Sequence, residues 1–598
     1  MKLRSIVFII LIISAAVALP ALPTSDARYL DIEISYRLQN DGSWDMEYRH
    51  RVRLDTYFAV NRALGETFIV YNPDLQKLEI LKAETTMADG RKVAAPDNAF
   101  NEVLPFAAHG FADFAHLREM VVTHTGLERG ALVDLHYRIH TRAGLLPAFT
   151  GREVLVRDFP VDRYRLTIAV PSGRELRFRV FNVKSEAEVS PGADEKRYTF
   201  ALAALPAAVH EPQVPAQAEP FIVFSASADW QQALAMNAAP SPLPAVLAAK
   251  VETLKAQYPA RPDLLAALQR SVAVEMQNCG LGVEATGWQP RPLERVFAGN
   301  YGTRLEKALL LRALLKNAGI DAELLAVAAG GSFAATVPSP LQLNDFWLKV
   351  GEGPHVLHLD PCHEQQEFFP YRGHGVDAVN LERMETEKMP AADWNQSGVD
   401  VSGAVQLDTA GVSGTLVVTA RGTFNRYNEA TADTGKFIAA VLRKIFPVEK
   451  VEIKKLLALT RRETRAEVTF SGKWLKDAGA GFFSVDACRL PGVSETMVQL
   501  AQRELPLALD APFKVSLELD LQPAAGLNLD YSAPPVDLTN EAGYFVRKLS
   551  RQKDGLIRFS EGCGILNNPV RVETYPRLRE LFKAYFTPDF WLVLKKSN

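Results

Sequence analysis

Cysteine is scarce in this sequence, with four residues among 598: Cys279, Cys362, Cys488 and Cys563. None of the spacings between them is C-x-x-C, and the ligand pairs of a zinc site lie closer together than these residues do. The sequence therefore predicts no metal site and no other cofactor. Because the number of cysteines is even, one or two disulfide bonds are compatible with an oxidising compartment.

An excess of one charge is also missing. The 67 basic and 70 acidic residues give a formal net charge of -3, and both signs are spread along the chain. Proteins that hold nucleic acid or an anionic membrane surface by electrostatics carry a basic patch or a positive net charge. The composition therefore argues against nucleic acid as a partner.

Long apolar runs are confined to the N-terminus. Lys2 and Arg4 precede an apolar run over residues 6–19, which is shorter than the ~20 residues needed to span a bilayer. Ala16 and Ala18 form an A-x-A pattern suited to cleavage. We expect a signal peptide over residues 1–21 and a periplasmic or secreted mature protein. The alternative is an uncleaved signal segment, through which alone the chain would contact a membrane.

The rest of the chain has the composition of globular domains, with 47% hydrophobic and 23% charged residues in a length sufficient for about three or four domains. Apolar and polar residues alternate before and after the turn residues Asn40-Asp41-Gly42, which predicts a β-hairpin. Further strands are expected at 131–141, 163–170 and 175–182. This pattern predicts an N-terminal β-sandwich domain over residues 28–225 with a core of its own.

Four histidines stand at alternating strand positions of this region: His50, His124, His136 and His140. Surface histidines that face across neighbouring strands are more common than metal clusters in such a pattern. We therefore expect all four to lie on the surface of the sheet.

The stretch AVHEPQVPAQAEP at residues 208–220 separates the β-rich region from a helical one. Its three prolines and lack of apolar periodicity indicate a linker or a strapped loop. We expect proteolytic cleavage within it to release a folded N-terminal fragment. After it, apolar residues spaced by three and four predict amphipathic helices over 244–259 and 261–278.

The next helix has clear end signals. Thr303 and Glu306 form a T-x-x-E capping box, an apolar stripe follows, and Gly319 is a C-terminal stop. A strand is expected at 320–327, then a loop rich in glycine and proline, and then two strands in DFWLKV and HVLHLDPC. The predicted order is helix, strand, loop and two antiparallel strands.

The segments GTRLEKALLLRALLKNAGIDAELL, LNDFWLKV and HLDPC resemble the core of the transglutaminase-like superfamily, which has a papain-like fold. The resemblance implies an α+β domain over residues 226–390. It also implies an exported bacterial protein in which a β-rich domain of unknown function precedes this core. In that superfamily a Gly-Asp-Cys motif opens the core helix, a His lies on the next strand, and an Asp in Leu-Asp-Pro completes a triad.

The family motif carries over only in part. Gly302, Lys307 and Asp360 fall where the pattern expects them, but Arg304 stands at the cysteine position and Asp345 at the histidine position. Acyl transfer needs a thiolate activated by a helix N-terminus and an adjacent His. Arginine stays protonated and has no electron pair to attack a carbonyl. The resemblance therefore implies degenerate triad positions at Arg304, Asp345 and Asp360, with no catalytic residue expected.

Cys362 offers a different arrangement, because histidines lie close to it in the sequence: His355, His358 and His363. A relocated Cys-His pair would lack the helix N-terminus that lowers the pKa of a thiol. The competing interpretation is a buried cysteine or a disulfide bond, with Cys279 as a conceivable partner.

Residues 397–598 show no catalytic pattern. A hairpin is expected over 403–424, a helix over 435–446, strands in RAEVTFSGKW and FKVSLELDLQ, and a closing helix in YPRLRELFKAYFTPDFWLVLKK. The whole chain is thus expected to be an α+β multidomain protein with a C-terminal β-rich domain that also contains helices.

Two classes of function follow from these observations. The first is a non-catalytic binding or scaffolding module for peptide or cell-envelope polymer. The second is a cysteine-dependent acyltransferase or peptidase with a rearranged active site. For the first we expect Arg304 to form a structural ion pair with Asp345, with Asp360 within reach; the alternative is that Arg304 extends into solvent.

Overall fold

The computed structural model describes most of the chain: residues 25–60, 64–215, 218–236, 243–351, 356–364, 374–391, 393–473, 482–486, 495–509, 511–586 and 590–596. The predicted signal peptide, His355 and Cys488 lie outside these residues. The described part is a β-rich multidomain structure with an N-terminal β-sheet domain, as expected. No helix within the described ranges is long and apolar enough to cross a membrane.

The N-terminal domain is built on one eight-stranded sheet, which we call the main sheet. The predicted hairpin is present in it, with Leu38 paired to Trp44 and Gly42 at φ 85° in the turn. In spatial order the strands are Glu188–Pro191, Glu195–Leu205, Val161–Pro171, Ala27–Leu38, Trp44–Leu54, Leu132–Thr141, Gln76–Thr86 and Lys92–Ala94.

The two faces of the main sheet differ in polarity because side chains alternate along each strand. The outer face carries ion pairs between neighbouring strands, such as Arg49 with Asp134 at 3.2 Å. The inner face is mainly apolar and packs against two three-stranded sheets. One consists of Arg177–Phe181, Phe221–Ser225 and Thr150–Val154, and the other of Glu66–Tyr71, Arg118–Thr123 and Phe100–Val103.

The four histidines of this region divide between the two faces. His136 and His140 lie on the outer face, 3.6 Å from Glu47 and 2.9 Å from Asp45 respectively. His50 and His124 are instead buried, with 5% and 7% exposure. The expected surface position is wrong for these two, because His50 shares the alternation of the buried Trp44 and Val52 and so faces inward.

The proline-containing stretch is a strapped loop rather than a free linker. Gln213 O accepts a hydrogen bond of 2.6 Å from Ala508 N, and Glu211 accepts bonds from the backbone of residues 504 and 505. The chain then returns to the N-terminal domain, where Phe221–Ser225 is the middle strand of its sheet. Residues 208–220 are therefore not the exit from this domain.

The separate core expected for residues 28–225 is not seen. Buried side chains form one continuous apolar cluster that runs from Ile34 of the main sheet through Phe224 to Leu311 and Leu348 of the central region. The N-terminal sheets and the central region therefore share apolar packing.

The central region packs helices against a five-stranded antiparallel sheet. The strands, in spatial order, are Leu357–Leu359, Asp345–Val350, Ala322–Val327, Asp377–Asn380 and Glu385–Lys388. The helices are Trp230–Ala233, Ala245–Gln257, Arg261–Ala273, Val283–Thr286, Leu293–Gly299 and Arg304–Asn317. The last of these, which we call the core helix, buries its apolar stripe against the neighbouring helices and the sheet. The predicted order of helix, strand, loop and two strands is present.

The C-terminal region contains a second eight-stranded sheet, with helices Tyr427–Ala432, Thr434–Leu442 and Tyr575–Tyr585. In spatial order its strands are Lys450–Leu459, Glu463–Lys473, Gly411–Arg421, Gly398–Leu407, Phe513–Pro523, Ile557–Ile565, Gly543–Arg551 and Val536–Asn540. A three-stranded sheet consists of Phe482–Asp486, Phe590–Lys596 and Leu527–Ser532.

The predicted closing helix is wrong for its second half. The helix covers Tyr575–Tyr585, and Phe590–Lys596 is a strand that pairs on both sides. Alternating Leu592 and Leu594 are fully buried, and the two neighbouring strands take its backbone hydrogen bonds. Tertiary pairing, which a single segment does not reveal, therefore decides this element.

Candidate functional site

The core helix begins with the capping box that its sequence predicts. Thr303 Oγ1 accepts a hydrogen bond from Glu306 N at 3.3 Å, and a Glu306 carboxylate oxygen accepts one from Thr303 N at 2.9 Å. Together they satisfy two of the backbone donors that a helix start leaves free. This places Arg304 as the first residue of the helix.

Arg304 is paired with Asp345, as expected. Its Nη1 donates a hydrogen bond of 3.0 Å to Asp345 Oδ1. The Asp345 side chain is 3% exposed whereas that of Arg304 is 45% exposed, so the pair joins a buried carboxylate to a cation at the surface. Burial lowers the pKa of Arg304, but neighbouring acidic groups, above all Asp345, outweigh it and raise the pKa.

Asp360 is not a second hydrogen-bonding partner of Arg304. Its Oδ1 accepts hydrogen bonds from the backbone of Cys362 and His363 at 2.8 and 3.2 Å, and its Oδ2 lies 3.2 Å from His363 Nδ1. Asp360 acts on Arg304 only as a nearby charge. Its carboxylate instead holds the turn that follows the strand Leu357–Leu359.

Cys362 lies in this turn, with its side chain buried and free of a disulfide bond. Burial, together with Asp360, raises the pKa of the thiol to about 12, although the cations Lys307 and Arg304 oppose the rise. A thiol with such a raised pKa is disfavoured as a nucleophile, because the thiolate is the reactive form. Within the described residues, the Cys362 thiol makes no hydrogen bond to an imidazole.

The other residues proposed for a relocated pair do not complete it. His358 is buried at 5% exposure, and burial lowers its pKa to about 4. Cys279 is free and buried, so the conceivable disulfide bond with Cys362 is not formed. Cys279 packs with Phe114 and Tyr301 instead.

Lys307 is a buried residue of the core helix that is linked to the Cys362 turn by hydrogen bonds. The side chain is fully buried, and its Nζ donates hydrogen bonds to Met276 O at 3.0 Å and to Asn278 Oδ1 at 2.5 Å. Asn278 Nδ2 in turn donates to Cys362 O at 3.0 Å. Burial lowers the pKa of Lys307. This chain of bonds ties the core helix to the Cys362 turn.

Arg291 is a residue that the sequence analysis missed. Its guanidinium makes two bonds of 2.8 Å to the carboxylate of Glu306 and also contacts Asp113 of the N-terminal domain. The Arg291 guanidinium carbon lies 4.4 Å from the centre of the Tyr301 ring. Little in the sequence indicates this role, because Arg291 stands in a loop and its partners lie 15 and 178 residues away.

The structure therefore brings Arg304, Asp345, Asp360 and Cys362 together at the start of the core helix. The cluster holds a cation at the first residue of the helix, and its thiol is buried in a turn with a raised pKa. Within the described part of the chain, no group of three or more His, Cys, Asp or Glu side chains is arranged to hold a metal ion. Such an arrangement can hold an anionic or carbonyl group through the exposed edge of Arg304.

Comparisons with known proteins bear on the fold. A family described as a domain of unknown function with a solved structure (DUF3857) matches residues 40–209, which lie in the N-terminal sheets. No curated protein matches this sequence.

Two solved structures illustrate the range of structural similarity. A protein from Parabacteroides distasonis ATCC 8503, provisionally described as a protease, is 22% identical with a TM-score of 0.70, over 95% of this chain and 99% of that one. An M1 zinc metallopeptidase from Deinococcus radiodurans is 11% identical over 34% of this chain and 43% of its own, with a TM-score of 0.18. That score is too low to indicate a shared fold. The chain thus shares its overall fold with the Parabacteroides protein and contains a region similar to DUF3857.

Proposed function

We propose that this chain is an exported, non-catalytic transglutaminase-like protein that binds peptide or cell-envelope polymer at the start of its core helix. The observation that carries the proposal is the Arg304–Asp345 ion pair at the first residue of the capped helix. It replaces two of the three groups that acyl transfer requires.

The arrangement of elements supports the transglutaminase-like part of the proposal. The core helix packs on the strands Ala322–Val327 and Asp345–Val350, and Leu357–Leu359 continues the sheet beside the latter. This is the order that the resemblance implies. The exposed edge of Arg304 supports the binding role, because a guanidinium recognises carboxylate and carbonyl oxygens.

The second candidate function is a cysteine-dependent acyltransferase or peptidase. The observation in its favour is that Cys362 lies next to an Asp360–His363 pair. The provisional description of the Parabacteroides structure points the same way. Against it stand the burial of the thiol and the rise of its pKa to about 12.

Activity assays separate the two candidates. The mature protein should give no turnover above buffer with glutamine-donor peptides and amine acceptors, and no labelling by a thiol-directed activity probe. An active transglutaminase serves as the positive control. Turnover that disappears in Cys362→Ser would establish the enzyme and overturn the non-catalytic proposal.

A binding assay tests the positive half of the proposal. We expect the mature chain to sediment with purified cell-wall sacculi or to bind envelope-derived peptides, and Arg304→Gln to weaken that binding about tenfold. Arg312→Gln is the matched control, because Arg312 belongs to the same helix but pairs with Glu382 away from the site. Equal binding by both variants would exclude the start of the core helix as the binding site.

A further inference from the structure

The N-terminal domain contains a cluster of polar side chains on the inner face of the main sheet, separate from the central site. Its members are Tyr36, Tyr48, Tyr137, Glu153 and Arg157, and we call the region between them the tyrosine crevice. All five keep a partly exposed side chain, although their neighbours on the same face, such as Ile34 and Leu166, are 3% and 0% exposed. Partial exposure among buried neighbours indicates room beside these side chains.

Aromatic rings form the walls of the crevice. The rings of Tyr48 and Tyr137 are stacked, with centroids 5.2 Å apart and planes at 28°. The Tyr36 ring packs edge-on against Phe224 at 5.1 Å. The crevice therefore offers flat aromatic faces held by packing on one side.

Charged and hydroxyl groups lie among these rings. The Tyr36 hydroxyl donates a hydrogen bond to Glu153, and Arg157 Nη1 donates to the carbonyl of Val156 at 2.9 Å. Arg157 Nη1 also donates to the carbonyl of Val154, and the guanidinium acts on the hydroxyls of Tyr48 and Tyr164. Burial raises the pKa of Glu153 and that of Tyr36.

Tyr164 contributes a buried hydroxyl that lies near Arg157 but makes no hydrogen bond of normal geometry. The residue is 1% exposed, and its hydroxyl oxygen is buried without a partner. The Arg157 guanidinium carbon lies 5.9 Å from the centre of its ring. A buried hydroxyl without a partner is unfavourable, and phenylalanine would fill the same volume without that cost. Arg157 is the polar group beside this hydroxyl, and a ligand that enters there could supply the missing partner.

We propose that the tyrosine crevice binds a sugar ring of an oligosaccharide, with the Tyr164 and Arg157 side chains donating hydrogen bonds to its hydroxyl groups. A sugar ring combines a flat C–H face, which packs on aromatic rings, with many hydroxyls that both donate and accept. The lining of the crevice matches that combination.

Other ligand classes fit the crevice less well. An extended peptide binds through backbone groups at a sheet edge, but this crevice lies on the face of a sheet whose backbone groups are paired. A nucleic acid needs a positive surface, whereas Glu153 offsets Arg157. A lipid chain would bring the polar groups no partners. The inference goes beyond the proposed function and does not depend on the central site.

Titration of the full mature chain with soluble oligosaccharides tests the inference. Chitotetraose, cellotetraose and maltotetraose are the probes, used at millimolar concentration in calorimetry. We expect at least one to bind. Tyr164→Phe should weaken that binding about tenfold, which corresponds to one hydrogen bond, and should leave the melting temperature unchanged or raised.

Two further variants keep the test decisive. Tyr575→Phe is the matched stability control, because its hydroxyl donates a hydrogen bond of 2.8 Å to Leu500 O and its removal should lower the melting temperature. Tyr137→Leu removes a stacking ring at a partly exposed position and should also weaken binding, even if Tyr164→Phe folds poorly. Failure of all three oligosaccharides to bind, or unchanged affinity in both crevice variants, would overturn the inference whatever the central site does.

Discussion

Arg304 depends on Asp345 for its position at the start of the core helix. A cation at a helix N-terminus is unfavourable by roughly 0.3 to 1 kcal/mol, because it faces the positive end of the helix dipole. The Asp345 carboxylate, 3.0 Å away, offsets this repulsion. The exposure of the Arg304 side chain limits the strength of the pair, because solvent screens it.

A double-mutant cycle measures this pair. Arg304→Ala removes the cation that the buried Asp345 faces, and Asp345→Ala leaves Arg304 against the helix dipole. We expect each to lower the free energy of unfolding by about 1–2 kcal/mol, and the double variant to lose about 1 kcal/mol less than the sum. Denaturant unfolding of the four proteins gives these values. Strictly additive losses would mean that the pair contributes no coupling energy.

His50 makes the N-terminal domain sensitive to acid. Burial lowers its pKa to about 3 in the folded protein, below the usual value near 6.5. Below pH 6.5 His50 therefore becomes protonated in the unfolded chain but stays neutral in the folded protein. The free energy of unfolding falls as a result when the pH drops from about 6.5 toward 3. At pH 5 the loss from this residue is about 2 kcal/mol.

The His50→Phe variant tests this pH dependence. Its free energy of unfolding should decline less than that of the wild type between pH 7.5 and 5, by about 2 kcal/mol. His210→Gln serves as the control, because the His210 side chain is 73% exposed and its replacement changes little buried contact. Parallel curves for wild type and His50→Phe would contradict the assigned role of His50.

At the scale of elements, Glu306 connects the start of the core helix to the N-terminal domain. The Glu306 carboxylate completes the capping box with Thr303 and accepts two hydrogen bonds from the Arg291 guanidinium. The same guanidinium contacts Asp113. The Glu306 side chain is 3% exposed. Helix capping and domain contact therefore rely on the same buried group.

Replacement of Glu306 by Gln separates the two roles. The amide oxygen still accepts the bond from Thr303 N, but the amide nitrogen faces a guanidinium donor and loses the bidentate pair. We expect a loss of about 1–3 kcal/mol in the free energy of unfolding. Glu294→Gln, at an exposed position of the preceding helix, should cost less than about 0.5 kcal/mol. Equal losses in the two variants would show that the Arg291 contact contributes nothing.

At the scale of the whole molecule, the strapped loop joins the N-terminal and C-terminal regions. The buried Arg503 lies 3.3 Å from Glu211 and donates a hydrogen bond of 2.8 Å to Pro212 O. The strand Phe221–Ser225 then follows within a sheet of the N-terminal domain. Cleavage of the peptide chain within the strapped loop therefore leaves both new chain ends attached to folded structure.

Limited proteolysis within residues 208–220 tests this picture. We expect the two fragments to stay together in size-exclusion chromatography and to separate only in denaturant. Glu211→Ala should speed cleavage about tenfold, because it removes the carboxylate that pairs with Arg503 and so makes local opening of the strapped loop easier. Release of a folded N-terminal fragment under native conditions would restore the independent domain that the sequence alone suggests.

Local signals account for the elements that could be predicted. The capping box at Thr303 and Glu306, the turn at Gly42 and the alternation of the first hairpin are contacts between residues close in the chain, so the order of residues is sufficient to indicate them. The Arg304–Asp345 pair was also predictable, but through the family resemblance and not through spacing. The strand Phe590–Lys596 was not predictable, because its partners lie 60 to 113 residues away in the sequence.

By itself, the sequence determined the strand and helix periodicities, the identity of the residue at the start of the core helix, and the wide spacing of the cysteines. Tertiary structure alone decided which distant groups meet. It placed Arg291 between Glu306 and Asp113, turned Asp360 toward the Cys362 backbone, and left the Tyr164 hydroxyl without a partner. The physical reason is that burial and charge pairing depend on neighbours in space, whereas periodicity and capping depend on neighbours along the chain.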